Sequence, residues 1–308
     1  MPKNRELSND HIRYPVGLAL GSGMARGFAH IGALKALHRN GIRPSLVAGT
    51  SIGALVGGCY LAGKLDTLED WALSLDRRKV FSYLDFRVRS AGMIGGHRLA
   101  RLLGEYFGGM KIEDLPHPFI AIAADLATGH EVWLRKGDFI NALRASFALP
   151  GVFPPVEIND QFLVDGALVN PVPVSACQRM GARMTIAVDL NADMIGKSVH
   201  PGERYQTIAG FDILPHKKQG VMGRVFGRNP NNPSLFGVMV SALNILQDRV
   251  TRARLAGDPP DIHIKPQIGH IGAMEFERGV EMIAAGEEAV EAAMPEIRAA
   301  MAVLLRKD

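Results

Sequence analysis

The sequence predicts an α/β fold of three layers, αβα, with a mainly parallel central sheet held between helices. Two observations carry this. Twice before residue 63 a short apolar run enters a glycine-bearing turn and then a stretch with helical apolar spacing. Further apolar runs recur along the chain with helical stretches between them, the pattern of parallel strands joined by crossover helices. With 308 residues, 47% of them hydrophobic, the chain can bury the core of one large domain.

The elements follow in order. Residues 1–14 are polar, lack the apolar core of a secretion signal, and read as a flexible tail. Residues 15–308 read as one domain. Val16 to Leu20 is a buried strand and Gly21 to Gly27 a glycine-rich turn. The helix after it carries Phe28, Ile31, Leu34 and Leu37 on one face, Arg39 in its last turn and Gly41 beyond its end. Ser45 to Ala48 is a second strand. It runs into Gly49-Thr50-Ser51-Ile52-Gly53 and a helix of small residues reaching about Ala62. Phe119 to Ala124 and Met184 to Val188 are further strands, and Val132 to Leu134 and Phe162 to Val164 shorter ones. Asp138 to Phe147 and Val174 to Met180 read as helices, and His97 stands at a helix start. Helical spacing returns at Leu235 to Leu246. Ile262 to Ile264 is a late strand, and Glu275 to Leu305 an acidic amphipathic helix.

Two stretches interrupt the alternation. Phe81 to Gly96 mixes aromatics with arginines and glycines. Residues 196–233 are long, polar, basic and rich in Gly, Pro and Asn, as functional covers or solvated loops are. Lys217, Lys218, Arg224 and Arg228 lie here. Two readings are open: a lid that makes peripheral contact with a membrane, and a solvated loop, the simpler of the two.

Charge and cysteine usage bound the function class. The net charge of +4 is mild and lacks the dense basic cluster of a nucleic-acid binder, so no nucleic-acid partner is expected. Cys59 and Cys177 form no C-x-x-C pair, which excludes the usual metal and redox motifs and suits a reducing, cytoplasmic compartment. No run of about 20 apolar residues occurs, so a lipid substrate is expected to be met from the aqueous side, at the inner face of the membrane. The oligomeric state is not legible.

The chemistry gathers at three places. Gly49-Thr50-Ser51-Ile52-Gly53 is a G-x-S-x-G turn between strand and helix. Such a turn is sharp, needs small flanking residues, and exposes the serine at a helix N-terminus that favours developing negative charge. Gly21-Ser22-Gly23-Met24-Ala25-Arg26-Gly27 fits either a phosphate cradle or an oxyanion hole. A dinucleotide fold expects an acidic residue about 20 positions on, yet none occurs from Gly21 to Leu65. The oxyanion hole is therefore preferred, with Gly23 and Met24 supplying N–H groups. Arg26 either adds positive charge beside them or is a surface residue at a helix start. Of the aspartates after strands, Asp125, Asp165 and Asp189, only Asp165 precedes glycine, in Asp165-Gly166-Ala167. That leaves room for another loop to approach it. Asp125 and Asp189 read as loop or helix caps. The histidines, His30, His97, His200 and His216 among them, read as structural or solvated. A Ser-His-Asp triad stays open as an alternative.

Together these three elements resemble the patatin-like phospholipase family, most closely its bacterial RssA-type branch. Phe28-Ala29-His30-Ile31-Gly32, Ala148 to Pro155, Asn170-Pro171-Val172-Pro173 and Ala256 to Asp261 support the resemblance, which spans about residues 15–290. The resemblance implies a variant of the α/β-hydrolase fold and a Ser-Asp dyad without histidine. It implies hydrolysis of phospholipids or other lipid acyl esters, with Ser51 as nucleophile and Asp165 as base. Gly23 and Met24 would form the oxyanion hole beside Arg26, and no cofactor or metal is called for. Many members carry glycine where this chain has Ser22 and Met24; both retain the backbone N–H, but Met24 restricts the loop if its φ is positive. Leu149, Val152 and Phe153 are candidates for an acyl groove, with Phe81, Tyr83, Leu84 and Phe86 as a rim. The non-enzymatic alternative is a regulatory or scaffold protein that keeps the fold.

Overall fold

The computed structural model describes residues 15–76, 79, 97–193 and 235–305. Eight strands form one sheet: β1 (Val16–Leu20), β2 (Leu46–Thr50), β3 (Phe119–Asp125), β4 (Glu131–Leu134), β5 (Val156–Ile158), β6 (Gln161–Asp165), β7 (Met184–Val188) and β8 (Ile262–Ile264). Their order is β5-β6-β3-β2-β1-β7-β8, with β4 also on β3. From β3 to β8 every pairing is parallel. The antiparallel pairings are confined to β4, β5 and β6.

The helices are α1 (Ala29–Arg39), α2 (Ile52–Leu61), α3 (Leu65–Leu73), α4 (His97–Phe107), α5 (Phe139–Ser146), α6 (Val174–Arg179), α7 (Leu235–Gly257) and α8 (Gly279–Leu304). Side chains alternate across a strand, and the two faces of the sheet enter two separate cores. Leu18, Leu20, Val47, Ala121 and Ile186 join Leu34 of α1, Leu55 of α2, Leu143 of α5 and Met282 of α8. Ala19, Ala48, Ile122 and Ala187 face the other way, against Val174, Ala176 and Cys177 of α6. The small residues on that second face admit α6 close to the sheet. The architecture is three-layered, as the sequence predicts. Among the described residues no helix is long and apolar enough to cross a membrane.

One detail of β3 positions everything that follows. Ala121 and Ile122 pair with both β2 and β4, and Ala123 and Ala124 with both β4 and β6. A strand has two edges, so β4 takes one and β2 and β6 share the other, end to end. Parallel β2 stops with Thr50 opposite Ile122. Antiparallel β6 arrives from the opposite direction and stops with Asp165 opposite Ala123. Successive residues of a strand lie about 3.3 Å apart, so the C-terminal ends of β2 and β6 abut.

Several elements depart from the sequence expectation. β2 runs two residues further, through Gly49 and Thr50, because β3 continues beside it. α3 is unforeseen, as is three-residue β5. α7 extends to Gly257 rather than Leu246, and the last helix begins only at Gly279, after a short 3₁₀ turn over Phe276–Arg278. The expectations for residues 1–14, for Phe81, Tyr83, Leu84 and Phe86, for His200 and His216, and for the basic loop over 196–233 lie outside the described residues.

Candidate active site

Ser51 occupies the corner between β2 and α2, with φ 58° and ψ −123°. A non-glycine residue with positive φ is strained by about 1–3 kcal/mol and persists only where its surroundings impose it. Here the imposition is close packing. A Cβ on Gly49 would meet Ala54 N at 2.5 Å, and one on Gly53 would collide with the carbonyls of Leu20 and Gly21. The start of α2 therefore lies directly on the end of β1, and the corner has room for glycine alone at both flanks.

The end-to-end meeting of β2 and β6 brings two distant side chains together. Ser51 Oγ donates to Asp165 Oδ2 at 2.7 Å across a sequence separation of 114. Both are buried, at 7% and 3% exposure. The other carboxylate oxygen, Oδ1, accepts from Ala167 N at 2.8 Å, and Asp165 N donates to the Ala148 carbonyl. A Cβ on Gly166 would run into the Ile122 carbonyl, so the residue after the aspartate must be glycine for β6 to end this close to β3. Burial pushes the Asp165 carboxyl up from 3.8 to about 7, against the opposing hydrogen bonds from Ala167 and Ser51.

The glycine-rich turn wraps this corner. Gly21 N donates to the Val188 carbonyl, Ser22 N to Pro171, Ala25 N to Ala273 and Arg26 N to Gly23. Between these anchors, the N–H groups of Gly23 and Met24 donate to no other described residue. Met24 has φ 52°, the positive value that a non-glycine residue adopts at a cost. His30, inside α1, braces the turn through Nε2, which donates to the Gly21 carbonyl at 2.7 Å. Full burial lowers its pKa to about 4 and keeps the ring neutral.

Arg26 corrects one reading. It is not a surface residue but 1% exposed. Its Nε and Nη1 have no hydrogen-bond partner among the described residues. Desolvation lowers its pKa to about 10, partly offset by the charge of Asp189.

The remaining candidates sort as follows. Asp125 caps a loop, accepting from Ala127 N and Thr128 N. Asp189 accepts from Asn191 N and pairs with His263 at 3.2 Å. Of the six histidines whose side chains are described, none bonds Ser51 or Asp165; His38 pairs with Tyr60 and His270 with Glu281. Leu149 and Val152 are buried, while Phe153 is half-buried and packs edge-on against Phe147.

Three contacts carry no sequence signal. Thr50 Oγ1 donates to the Asn170 carbonyl, tying the corner to the loop after Asp165. Asn170 in turn donates to Glu131, which also receives Arg254 of α7 at 2.8 Å. Ser146 bonds the corner itself. Each is a single polar residue with a partner distant in sequence, and Thr50 and Ser146 bond backbone atoms.

The arrangement offers a polarised hydroxyl, a carboxylate titrating near neutrality and two N–H donors without a partner among the described residues. Comparison with known proteins agrees in kind. The model of the patatin-like phospholipase family matches residues 18–177. An uncharacterized NTE family protein of Mycobacterium tuberculosis is 33% identical over 319 residues, covering 88% of this chain and 89% of the relative. Lysophospholipase NTE1 of Candida albicans is 27% identical, covering 92% of this chain but 20% of that protein. These relatives carry the NTE label rather than the RssA-type one. The crystal structure of VipD from Legionella pneumophila aligns with a TM-score of 0.39 at 11% identity, over 96% of this chain and 81% of that one.

Proposed function

The chain belongs to the patatin-like phospholipase family, and from that premise we propose a serine acyl hydrolase of lipid esters, with Ser51 as nucleophile and Asp165 as its catalytic partner. The observation that carries this reading is the buried 2.7 Å hydrogen bond from Ser51 Oγ to Asp165 Oδ2. Kinship with a lysophospholipase supports a lipid hydrolase.

In this reaction the ionised Asp165 takes the Ser51 proton as Oγ attacks the ester carbonyl. The carbonyl oxygen becomes an oxyanion held by the N–H groups of Gly23 and Met24. Donors of this kind, fixed before the reaction, are each worth about 10²- to 10³-fold in turnover. The buried cation of Arg26 adds positive charge to the same turn. As the tetrahedral adduct collapses, Asp165 returns the proton to the leaving alcohol and Ser51 keeps the acyl group. Water then attacks the acyl carbonyl while Asp165 accepts its proton, and the proton passes to Ser51 as the fatty acid departs. A carboxyl with a pKa of about 7 suits both halves, since it accepts and releases a proton near neutrality. The Ala148–Pro155 loop, whose Ala148 carbonyl holds Asp165 N, offers Phe153 as an apolar contact for the acyl chain.

The test is turnover of a panel of lipid and p-nitrophenyl esters, with labelling by a fluorophosphonate probe. Ser51→Ala is expected to abolish both, and Asp165→Asn to lower turnover at least about 10³-fold. A histidine-to-alanine change that abolishes cleavage while Asp165→Asn spares it would instead establish a triad. A chain that neither labels nor cleaves would be the non-enzymatic scaffold.

A further inference from the structure

Ser146 ends the last turn of α5 and is fully buried. Its Oγ donates to the Ile122 carbonyl at 2.6 Å. A hydroxyl carries one proton, so only lone pairs remain for its second partner. That partner is the Ser51 N–H, which donates to Ser146 Oγ at 2.9 Å. Both bonds are thereby fixed in direction. Ile122 is the β3 residue opposite Thr50, and its neighbour Ala123 lies opposite Asp165. The hydroxyl thus sits at the junction where β2 and β6 abut.

Ser51 is strained at φ 58°, and relaxing that angle requires one of its two flanking peptides to rotate. The peptide after it is held, because Ala54 N and Leu55 N donate to the Ser51 carbonyl at 3.0 and 3.2 Å. The peptide before it is held by Ser146. With both planes fixed, the Cα–Cβ direction is fixed too, and Oγ stays within reach of Asp165. The same bond occupies the Ser51 N–H and leaves it no part in binding an oxyanion.

We propose that Ser146 is a positioning residue for the nucleophile: its hydroxyl clamps the peptide before Ser51 to β3, so that the strained corner presents Oγ to Asp165. This rests on the Ser51–Asp165 reading and deepens it.

The experiment uses the full chain with Ser146→Ala and Ser146→Cys. It reads kcat and KM on a p-nitrophenyl ester, the rate of fluorophosphonate labelling, the pH midpoint of kcat, and the folded fraction by circular dichroism. Misplacing a reacting atom by about 1 Å costs about 10²-fold. For Ser146→Ala, kcat per folded molecule is expected to fall about tenfold or more, with KM within about twofold. Labelling should slow in parallel. The pH midpoint should rise, because the Ser51 hydrogen bond that holds the Asp165 pKa down is weakened. Ser146→Cys, with a weaker donor and acceptor, should fall between. A folded Ser146→Ala with unchanged kcat and midpoint overturns the proposal, as does activity lost only in proportion to folded protein. If the alanine variant does not fold, the cysteine variant decides: a drop of about threefold or more in kcat at constant KM supports the clamp, and unchanged kcat and midpoint overturn it. If the unaltered chain neither labels at Ser51 nor cleaves ester, the parent reading fails and takes this one with it. If it does both and Ser146→Ala matches it, this inference alone fails.

Discussion

Burial lifts the Asp165 carboxyl from 3.8 to about 7, so folding is linked to pH at this one group, and Asp165→Asn removes the link. The unfolded chain releases this proton near the ordinary value, while the folded chain holds it until about pH 7. Between the two the native state binds more protons than the unfolded state, so stability falls as pH rises. The loss is complete above about pH 7. A span of about three units, at about 1.36 kcal/mol each, makes it roughly 4 kcal/mol. Asparagine preserves the local bonding: its Oδ1 still accepts from Ala167 N, and its Nδ2 donates to Ser51 Oγ, which turns to accept. The variant is therefore expected to match the parent near about pH 4 and exceed it by up to roughly 4 kcal/mol at about pH 8.5. With an unfolding entropy of about 2.1 cal/mol/K per residue, a chain of this size gains about 6 °C in Tm. Thermal denaturation of both proteins across that range reads the difference, in which every other titrating group cancels. A difference that stays flat, or a parent that gains on the variant as pH rises, refutes the burial argument.

The same ionisation predicts that kcat/KM for an ester climbs with pH to a midpoint near 7, since only the ionised Asp165 accepts the proton; a profile flat between about pH 5 and 9 would show that another group is the base. Ser51→Gly and Ser51→Ala are both expected to be inactive. Chemical denaturation should find the glycine variant the more stable by about 1 kcal/mol, because glycine adopts φ 58° without strain. Arg26→Met replaces a buried cation, two of whose nitrogens have no partner among the described residues, by an apolar side chain, so stability should hold within about 1 kcal/mol or rise; a loss above about 3 kcal/mol in the same assay would show a paired charge.

What was legible in the sequence follows the reach of its signals. The two glycine turns stand out because close backbone approach leaves a local mark, and Gly166 marks Asp165 for the same reason. α3 hides because its inward residues, Leu68 and Ala72, alternate with acidic and polar ones in a short stretch that reads as a connection. The second half of α7 hides for the opposite reason. Gln247, Asp248 and Thr251 are buried, so polar residues occupy the inward face and the apolar period breaks at Leu246. Charge misleads at Arg26, whose guanidinium suggests solvent while the fold encloses it. Ser146 leaves no mark, since a serine in a helix's last turn follows no period and both its partners are backbone atoms.

A serine nucleophile commonly borrows its base from an imidazole, whose ordinary pKa of about 6.5 already suits neutral pH. A carboxylate in water is too acidic for that task, and burial alone raises Asp165 into the same range. Burial demands that the carboxylate arrive without water and in register. The shared edge of β3 meets both demands, because β2 and β6 end against one another on adjacent residues, Ile122 and Ala123. Side-chain direction reverses with each residue of a strand, so a slip of one position in β6 would turn Asp165 to the opposite face of the sheet, away from Ser51. On the proposed reading the base is thus specified by strand register, and the fold that sets the register also supplies the desolvation that makes the carboxylate basic enough to serve.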